Sequence, residues 1–235
     1  MNDPDDPPQR ALKDDPRLRP YFASESERLQ VTRAMFDKAA PEYDRAERWM
    51  AFGSGAWYRR QALRRHGLST GMTLLDVAAG TGLVTVAGCA LVGPAGRVLA
   101  LDPSPGMLAE LRRKVAVETI EAYAEAIPLP DALVDFVSMG YALRHVGDLP
   151  RALAEYWRVL RPCGKLCLLE ISRPRTRLGQ ALLRAHVRGV VPTLARLTRR
   201  NAEVSRLWEY YGDTIDAALE PEAILSALRR ARFEN

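Results

Sequence analysis

Asp76, Gly80, Gly82 and Asp102 are the residues whose types and spacing suit ligand chemistry best in this chain. Residues 74–83 read Leu-Leu-Asp-Val-Ala-Ala-Gly-Thr-Gly-Leu, an apolar run that breaks into a glycine turn. Gly80 and Gly82 lack a Cβ, so the backbone there can take positive φ and let a ligand approach the main chain. Asp102 closes the next apolar run, Arg97-Val-Leu-Ala-Leu-Asp-Pro. A carboxylate at the end of the second strand of a nucleotide-binding sheet accepts from the two hydroxyls of a ribose. The pairing predicts a site for an adenosine-containing cofactor.

Such a site needs a buried parallel strand, a tight turn and a helix, in that order. A dinucleotide turn asks for G-x-G-x-x-G, and the third glycine would fall at Thr85. What stands here is an acid, Asp76, followed by Ala78, Gly80 and Gly82 at alternate positions. That pattern resembles the first motif of class I S-adenosylmethionine (AdoMet) methyltransferases. The rest of the chain keeps the same rhythm. Ala124-Glu-Ala-Ile-Pro-Leu-Pro-Asp followed by Leu133-Val-Asp-Phe-Val-Ser-Met-Gly is similar to the loop after the third strand and the fourth strand of those enzymes. Leu149 to Leu160 reads as an amphipathic helix with Leu149, Leu153, Tyr156, Trp157 and Leu160 on one stripe. Pro162 should stop it and Gly164 should take a left-handed turn, before a fifth apolar strand from Lys165. The expected fold is α/β, a doubly wound, mostly parallel Rossmann-like sheet with flanking helices.

Composition sets limits. The 235 residues suit one domain with a real core. The three cysteines, Cys89, Cys163 and Cys167, lack metal-ligand spacing and read as reduced packing residues of a cytoplasmic protein. The three histidines are dispersed, so no metal site is expected. Residues 1–20 are charged and proline-rich and read as a disordered tail ahead of a single domain over 21–235. No stretch reaches the roughly 18 to 20 apolar residues of a membrane span. The net charge of +5 is uneven: residues 173–206 hold nine arginines and one acid, interleaved with leucine and valine. A basic amphipathic segment of this kind docks on anionic lipid or is a solvated face over the core. Charge alone is compatible with nucleic acid, but no recognition motif accompanies it, so no specific nucleic-acid partner is expected.

Two further places sharpen the resemblance. Phe36-Asp-Lys-Ala-Ala-Pro-Glu-Tyr-Asp, Met50-Ala-Phe-Gly and Trp57-Tyr-Arg-Arg are similar to the N-terminal signature of the ubiquinone/menaquinone C-methyltransferase family. Gly140-Tyr-Ala-Leu-Arg-His-Val-Gly-Asp resembles that family's stretch after strand four, and Trp208-Glu-Tyr-Tyr fits near the C-terminus. The resemblance implies N-terminal helices that close over AdoMet, which Asp76, Ala78, Gly80, Thr81, Gly82, Asp102, Pro103, Met107, Tyr123, Ala124 and Gly140 would hold. Thr81 would meet the methionine part or cap the following helix. Tyr123 stands where the family has Asn or Asp, Gly140 where it often has Ser, and His145 where an Arg-Asn pair has its Asn.

The implied acceptor is a quinol ring carbon, polyprenylated and therefore membrane-resident, which turns nucleophilic when a ring hydroxyl loses its proton. Arg144 would supply a cation for the phenolate and His145 a base, with Tyr141 and Tyr43 as polar walls. His145 alternatively caps the helix after Asp148. The 173–220 stretch would be a basic helical substrate cap with peripheral contact to anionic membrane. Relatives continue past the Phe-Glu segment with two more strands, whereas this chain stops at Asn235. Without them the fifth strand is expected to be covered by a second copy or by other segments. The alternatives are a methyltransferase with another small acceptor, such as a lipid head-group amine, a polyketide phenol or a small amine, and an inactive AdoMet-binding scaffold.

Overall fold

The computed structural model describes residues 21–22, 25–50, 53–171, 176–186, 189, 210–215 and 219–234. Five strands form one sheet: β1 (Thr73–Val77), β2 (Arg97–Leu101), β3 (Glu118–Ile120), β4 (Val134–Gly140) and β5 (Leu160–Leu169). All neighbours run parallel, in the order β3-β2-β1-β4-β5. The chain steps outward from β1 to β3, then crosses back to β4 on the other side. That reversal opens a crevice at the carboxyl ends of β1 and β4, where ligands bind in such sheets.

The helices are α1 (Glu25–Met50), α2 (Gly55–Arg65), α3 (Leu83–Val92), α4 (Pro105–Lys114), α5 (Leu149–Val159), α6 (Arg177–Ala185) and α7 (Pro221–Arg230). Local chemistry starts several of them. Ser104 caps α4 by accepting from the Met107 N–H, with Pro105 in the first turn. Asp148 does the same for α5 at the Arg151 N–H, so the cap belongs to Asp148 and not to His145.

Both faces of the sheet are covered. Leu75, Val77, Leu101, Val137 and Met139 pack with Leu149, Leu153, Tyr156 and Val159 of α5. Leu74, Phe136, Cys167 and Leu169 pack on the other side with Leu63 of α2 and Val84 and Ala87 of α3. Helix α3 approaches β1 closely because Gly88 has no side chain; a Cβ there would overlap Leu74. The glycine that tightens helix–strand packing thus lies three residues past Thr85.

Two expectations need correction. Trp157 is not on the buried stripe of α5: it is 47% exposed and meets Phe233 edge-on at 5.3 Å. Ala152 and Val159 take the buried places. The left-handed residue after α5 is Cys163 (φ +64), not Gly164. Gly164 is required for space, since a Cβ would lie 2.8 Å from the Arg161 carbonyl oxygen. Among the described residues, β5 has one strand neighbour, β4. Its faces are closed by α2 and by the apolar cluster that includes Ile224 and Leu228 of α7. Arg161 and Lys165 stand exposed along β5, and such charges discourage pairing with another chain. The 1–20 tail and most of the basic 173–206 segment lie outside the described residues.

Candidate active site

A cleft of about 770 Å³, its open mouth included, lies over the carboxyl ends of β1, β2 and β4. Its floor comes from the loops after the strands: Ala78 and Gly80 after β1, Asp102 and Pro103 after β2, Gly140 and Tyr141 at the end of β4. Met107 of α4 and the Tyr123-Ala124 pair make one wall. Its roof is α1, through Thr32, Phe36 and Tyr43, together with Tyr211.

The glycine turn divides its labour. Gly80 (φ +55) faces open space, so its missing Cβ leaves room for a ligand. Gly82 (φ +86) is the N-cap of α3, and a Cβ there would lie 2.7 Å from Leu111 Cγ, so it serves packing and the turn. Gly140 lines the cleft, and a side chain there would meet Val84 Cγ2 at 2.7 Å. Ala78 (φ +53) and Tyr141 (φ +61) each follow directly after a central strand in the left-handed region. Strain of this kind gathers at functional sites.

Asp102 is buried, 7% exposed. One oxygen accepts from the Gly80 N–H at 2.8 Å and the other from the Ser104 N–H at 2.8 Å. Each carboxylate oxygen has about two acceptor directions, so one on each remains for a ligand. Burial, against these two hydrogen bonds, pushes its pKa up to about 6.

Asp76, Thr81 and Gly82, expected at the cofactor, do not line the cleft. The Asp76 carboxylate sits beneath the turn, accepting from Thr85 Oγ1 (2.6 Å) and Ser138 Oγ (2.8 Å). Burial raises its pKa to about 6 as well. It welds β1, α3 and β4 together. Thr81 donates to Asp44 of α1, and Lys114 bridges Asp44 and the Thr81 carbonyl. Thr81 therefore neither caps α3 nor presents its hydroxyl to the cleft. A second clasp comes from Asp37 of α1, which accepts from Ser104 Oγ and from the Gly106 N–H. Both acids fasten the roof, and nothing in their local sequence announced it.

The acceptor side is aromatic. Phe36 stands edge-on to His145 (5.3 Å) and Tyr211 (6.2 Å), and the Tyr43 and Tyr211 hydroxyls are 2.5 Å apart. His145 lies on a 3-10 turn, Leu143–His145. Its Nδ1 is 3.1 Å from the Tyr210 hydroxyl, while its buried Nε2 has no hydrogen-bond partner among the described residues. Burial, then the charges of Arg144 and Arg28, drive its pKa well below the usual histidine range. It is neutral at working pH and a much weaker base than expected. Arg144 departs furthest from expectation. It is buried, outside the cleft lining, and turned onto Glu170 (2.7 Å), the Tyr141 carbonyl (2.6 Å) and Thr214. Its guanidinium lies 4.7 Å from the centre of the Tyr211 ring. Glu170, at ion-pair distance, holds the cation reserved for a phenolate outside the cleft lining. Tyr210 and Tyr211 came with the Trp-Glu-Tyr-Tyr resemblance, but sequence reasoning gave neither a role.

Residues 23–235 match the model of the ubiE/COQ5 methyltransferase family. The chain belongs to the ubiE/COQ5 methyltransferase family. It is an enzyme of the methyltransferase class. It is 33% identical over 220 residues to the demethylmenaquinone methyltransferase of Symbiobacterium thermophilum, covering 89% of this chain and 87% of that one. It is 32% identical to the ubiquinone/menaquinone biosynthesis C-methyltransferase UbiE of Hahella chejuensis, over 84% of this chain and 81% of the relative. A solved structure from Thermotoga maritima, described as a SAM-dependent methyltransferase, possibly a histamine N-methyltransferase, superposes with TM-score 0.61. It shares 21% identity over 86% of this chain and 81% of its own. A SAM-dependent methyltransferase from Aquifex aeolicus gives TM-score 0.54 at 22% identity, over 74% and 78% of the two chains. These two share the fold of the ubiE/COQ5 chain.

Proposed function

We propose that this ubiE/COQ5 family member is an AdoMet-dependent C-methyltransferase acting on a quinol ring in ubiquinone or menaquinone biosynthesis. Asp102 carries the reading: a buried carboxylate, anchored by two backbone donors and with an acceptor direction spare on each oxygen, faces the same cleft as the open Gly80 turn. The residues fit AdoMet. Asp102 takes the ribose hydroxyls, Tyr123 and Ala124 sit at the adenine, and Pro103 and Met107 form the apolar wall. Ala78, Gly80 and Gly140 offer backbone and space to the methionine part. AdoMet, when bound, supplies an activated methyl group.

The chain's own work is then positioning. Phe36, Tyr43, His145 and Tyr211 box a flat ring and exclude water from it. Neutral His145 presents Nε2 as a hydrogen-bonding group that orients a ring hydroxyl, and Tyr141 closes the box near the end of β4. Among the described residues, no helix is long and apolar enough to cross a membrane. On α6, however, Leu178 and Leu182 are 72% and 62% exposed beside a run of arginines, which supports peripheral contact with anionic lipid and access to a bilayer-resident acceptor.

Calorimetric titration with AdoMet, followed by mass spectrometry of a reaction with a demethylated quinol, tests the reading. Tight AdoMet binding and gain of one methyl group are expected. Binding of NAD in place of AdoMet would refute the cofactor, and an unmodified quinol would refute the acceptor.

A further inference from the structure

We propose that Arg144, Tyr211 and Tyr43 form a relay that ends on the acceptor's oxygen: Arg144 polarises Tyr211, Tyr211 donates to Tyr43, and the Tyr43 O–H donates to the oxygen beside the reacting carbon. The proposal rests on the quinol reading above and assigns its three residues different work. Tyr43 touches the acceptor; Tyr211 and Arg144 are positioning residues that act through it.

Three observations carry it. First, the guanidinium of Arg144 is 4.7 Å from the Tyr211 ring centre. It is also fixed there, because its other contacts are to Glu170, the Tyr141 carbonyl and Thr214. A cation over a phenol ring draws electron density from it and makes its O–H a stronger donor. Second, the two hydroxyls are 2.5 Å apart, at the short end for O–H···O bonds. One donates and the other accepts, and with Tyr211 as donor the Tyr43 proton points onward to a ligand. Hydrogen bonds in such a chain strengthen one another. Third, among the described residues both tyrosines line the cleft and Arg144 does not, so the Tyr211–Tyr43 pair connects the cation to the ligand space.

Burial raises the pKa of Tyr43 and pushes that of Tyr211 well above the usual tyrosine value. Both therefore remain protonated and act as donors. An acceptor bound as its phenolate, the hydroxyl proton having been released to solvent, carries negative charge on that ring oxygen, and such a fixed donor stabilises it. The relay places the positive charge of Arg144 at the service of that oxygen while Glu170 keeps it paired.

The test uses the whole chain with two probes, a 2-prenyl-1,4-naphthohydroquinone for turnover and 4-nitrophenol, whose phenolate absorbance reports its ionisation in the cleft. Tyr43→Phe should lower kcat by about 10²-fold, the usual effect of removing one donor to a developing oxyanion. Tyr211→Phe should lower kcat several-fold, leave AdoMet affinity unchanged and shift bound 4-nitrophenol toward its neutral form. The double variant should lose no more than Tyr43→Phe alone, because the two act in series. Arg144→Lys, which keeps a charge for Glu170, should change kcat and probe ionisation when Tyr211 is intact and change neither in the Tyr211→Phe background. Additive losses, or a Tyr211→Phe protein identical to the unmodified one with both probes, overturn the relay. If the unmodified protein binds AdoMet and ionises 4-nitrophenol but methylates no quinol, the quinol reading fails while the relay stands.

Discussion

Replacing Asp102 tests the cofactor site at its buried anchor. The carboxylate spends one acceptor direction per oxygen on Gly80 and Ser104, each at 2.8 Å, and leaves two for ribose hydroxyls. Hydrogen bonds to a charged group contribute about 1.5–3 kcal/mol each. Two of them give roughly 3–6 kcal/mol, so Asp102→Ala should raise the Kd for AdoMet by about 10²- to 10⁴-fold. The demethylated product carries the same ribose and should weaken equally. Stability should fall too, by about 1–3 kcal/mol for each N–H left buried without an acceptor, so circular dichroism must accompany the calorimetry. A pH series gives an independent reading. With the free-state pKa at about 6 and the ligand favouring the ionised form, Kd should be flat above about pH 7 and rise by up to about tenfold per unit below 6. A folded Asp102→Ala protein with unchanged Kd would refute the ribose role, and a Kd independent of pH would refute the ionisation argument.

Gly80→Ala, with open space at its Cβ, should cost only the left-handed strain of about 1–2 kcal/mol yet weaken AdoMet binding sharply. Gly82→Ala, whose Cβ meets Leu111, should destabilise more; urea denaturation beside calorimetry separates the two, and equal losses in both assays would sink the division of labour. Asp76 has a folded pKa of about 6 against an ordinary 3.8. Its protonated form therefore adds stability that is complete below pH 3.8 and lost as pH rises through about 6; Asp76→Asn should flatten that part of the stability curve, and an unaltered curve would contradict the assignment. Leu178→Asp with Leu182→Asp should reduce flotation with anionic vesicles at low salt while AdoMet binding is unchanged, and equal flotation would show that α6 is not the contact.

Local patterns carried much of this fold. Apolar runs marked β1, β2, β4 and the part of β5 from Lys165 onward. Gly80 and Asp102 were legible because their roles follow from residue type and place in a βα unit. The misreadings share one cause, which is contacts between residues distant in sequence. Arg144 next to His145 looks like a free cation until Glu170 is seen beside it. His145 looks like a base until Phe36, Tyr210 and Arg144 close around it. Thr81 looks like a cap until Asp44 arrives from α1. No periodicity or spacing encodes such meetings, and the roof of the cleft is made of them.

Ala78 and Tyr141 have a consequence for how this enzyme tolerates change. Each holds a conformation that costs a residue with a side chain roughly 1–2 kcal/mol, and they flank the crevice where β1 and β4 part. Glycine at 78 would relieve that cost in the folded chain, but it would also free the backbone to wander when the cleft is empty. A library selected for thermal tolerance alone would accept the exchange; one selected for turnover would keep alanine. The stiffness of the two strand ends is thus a property that screening for robustness erodes, because it is stored as a local defect in stability.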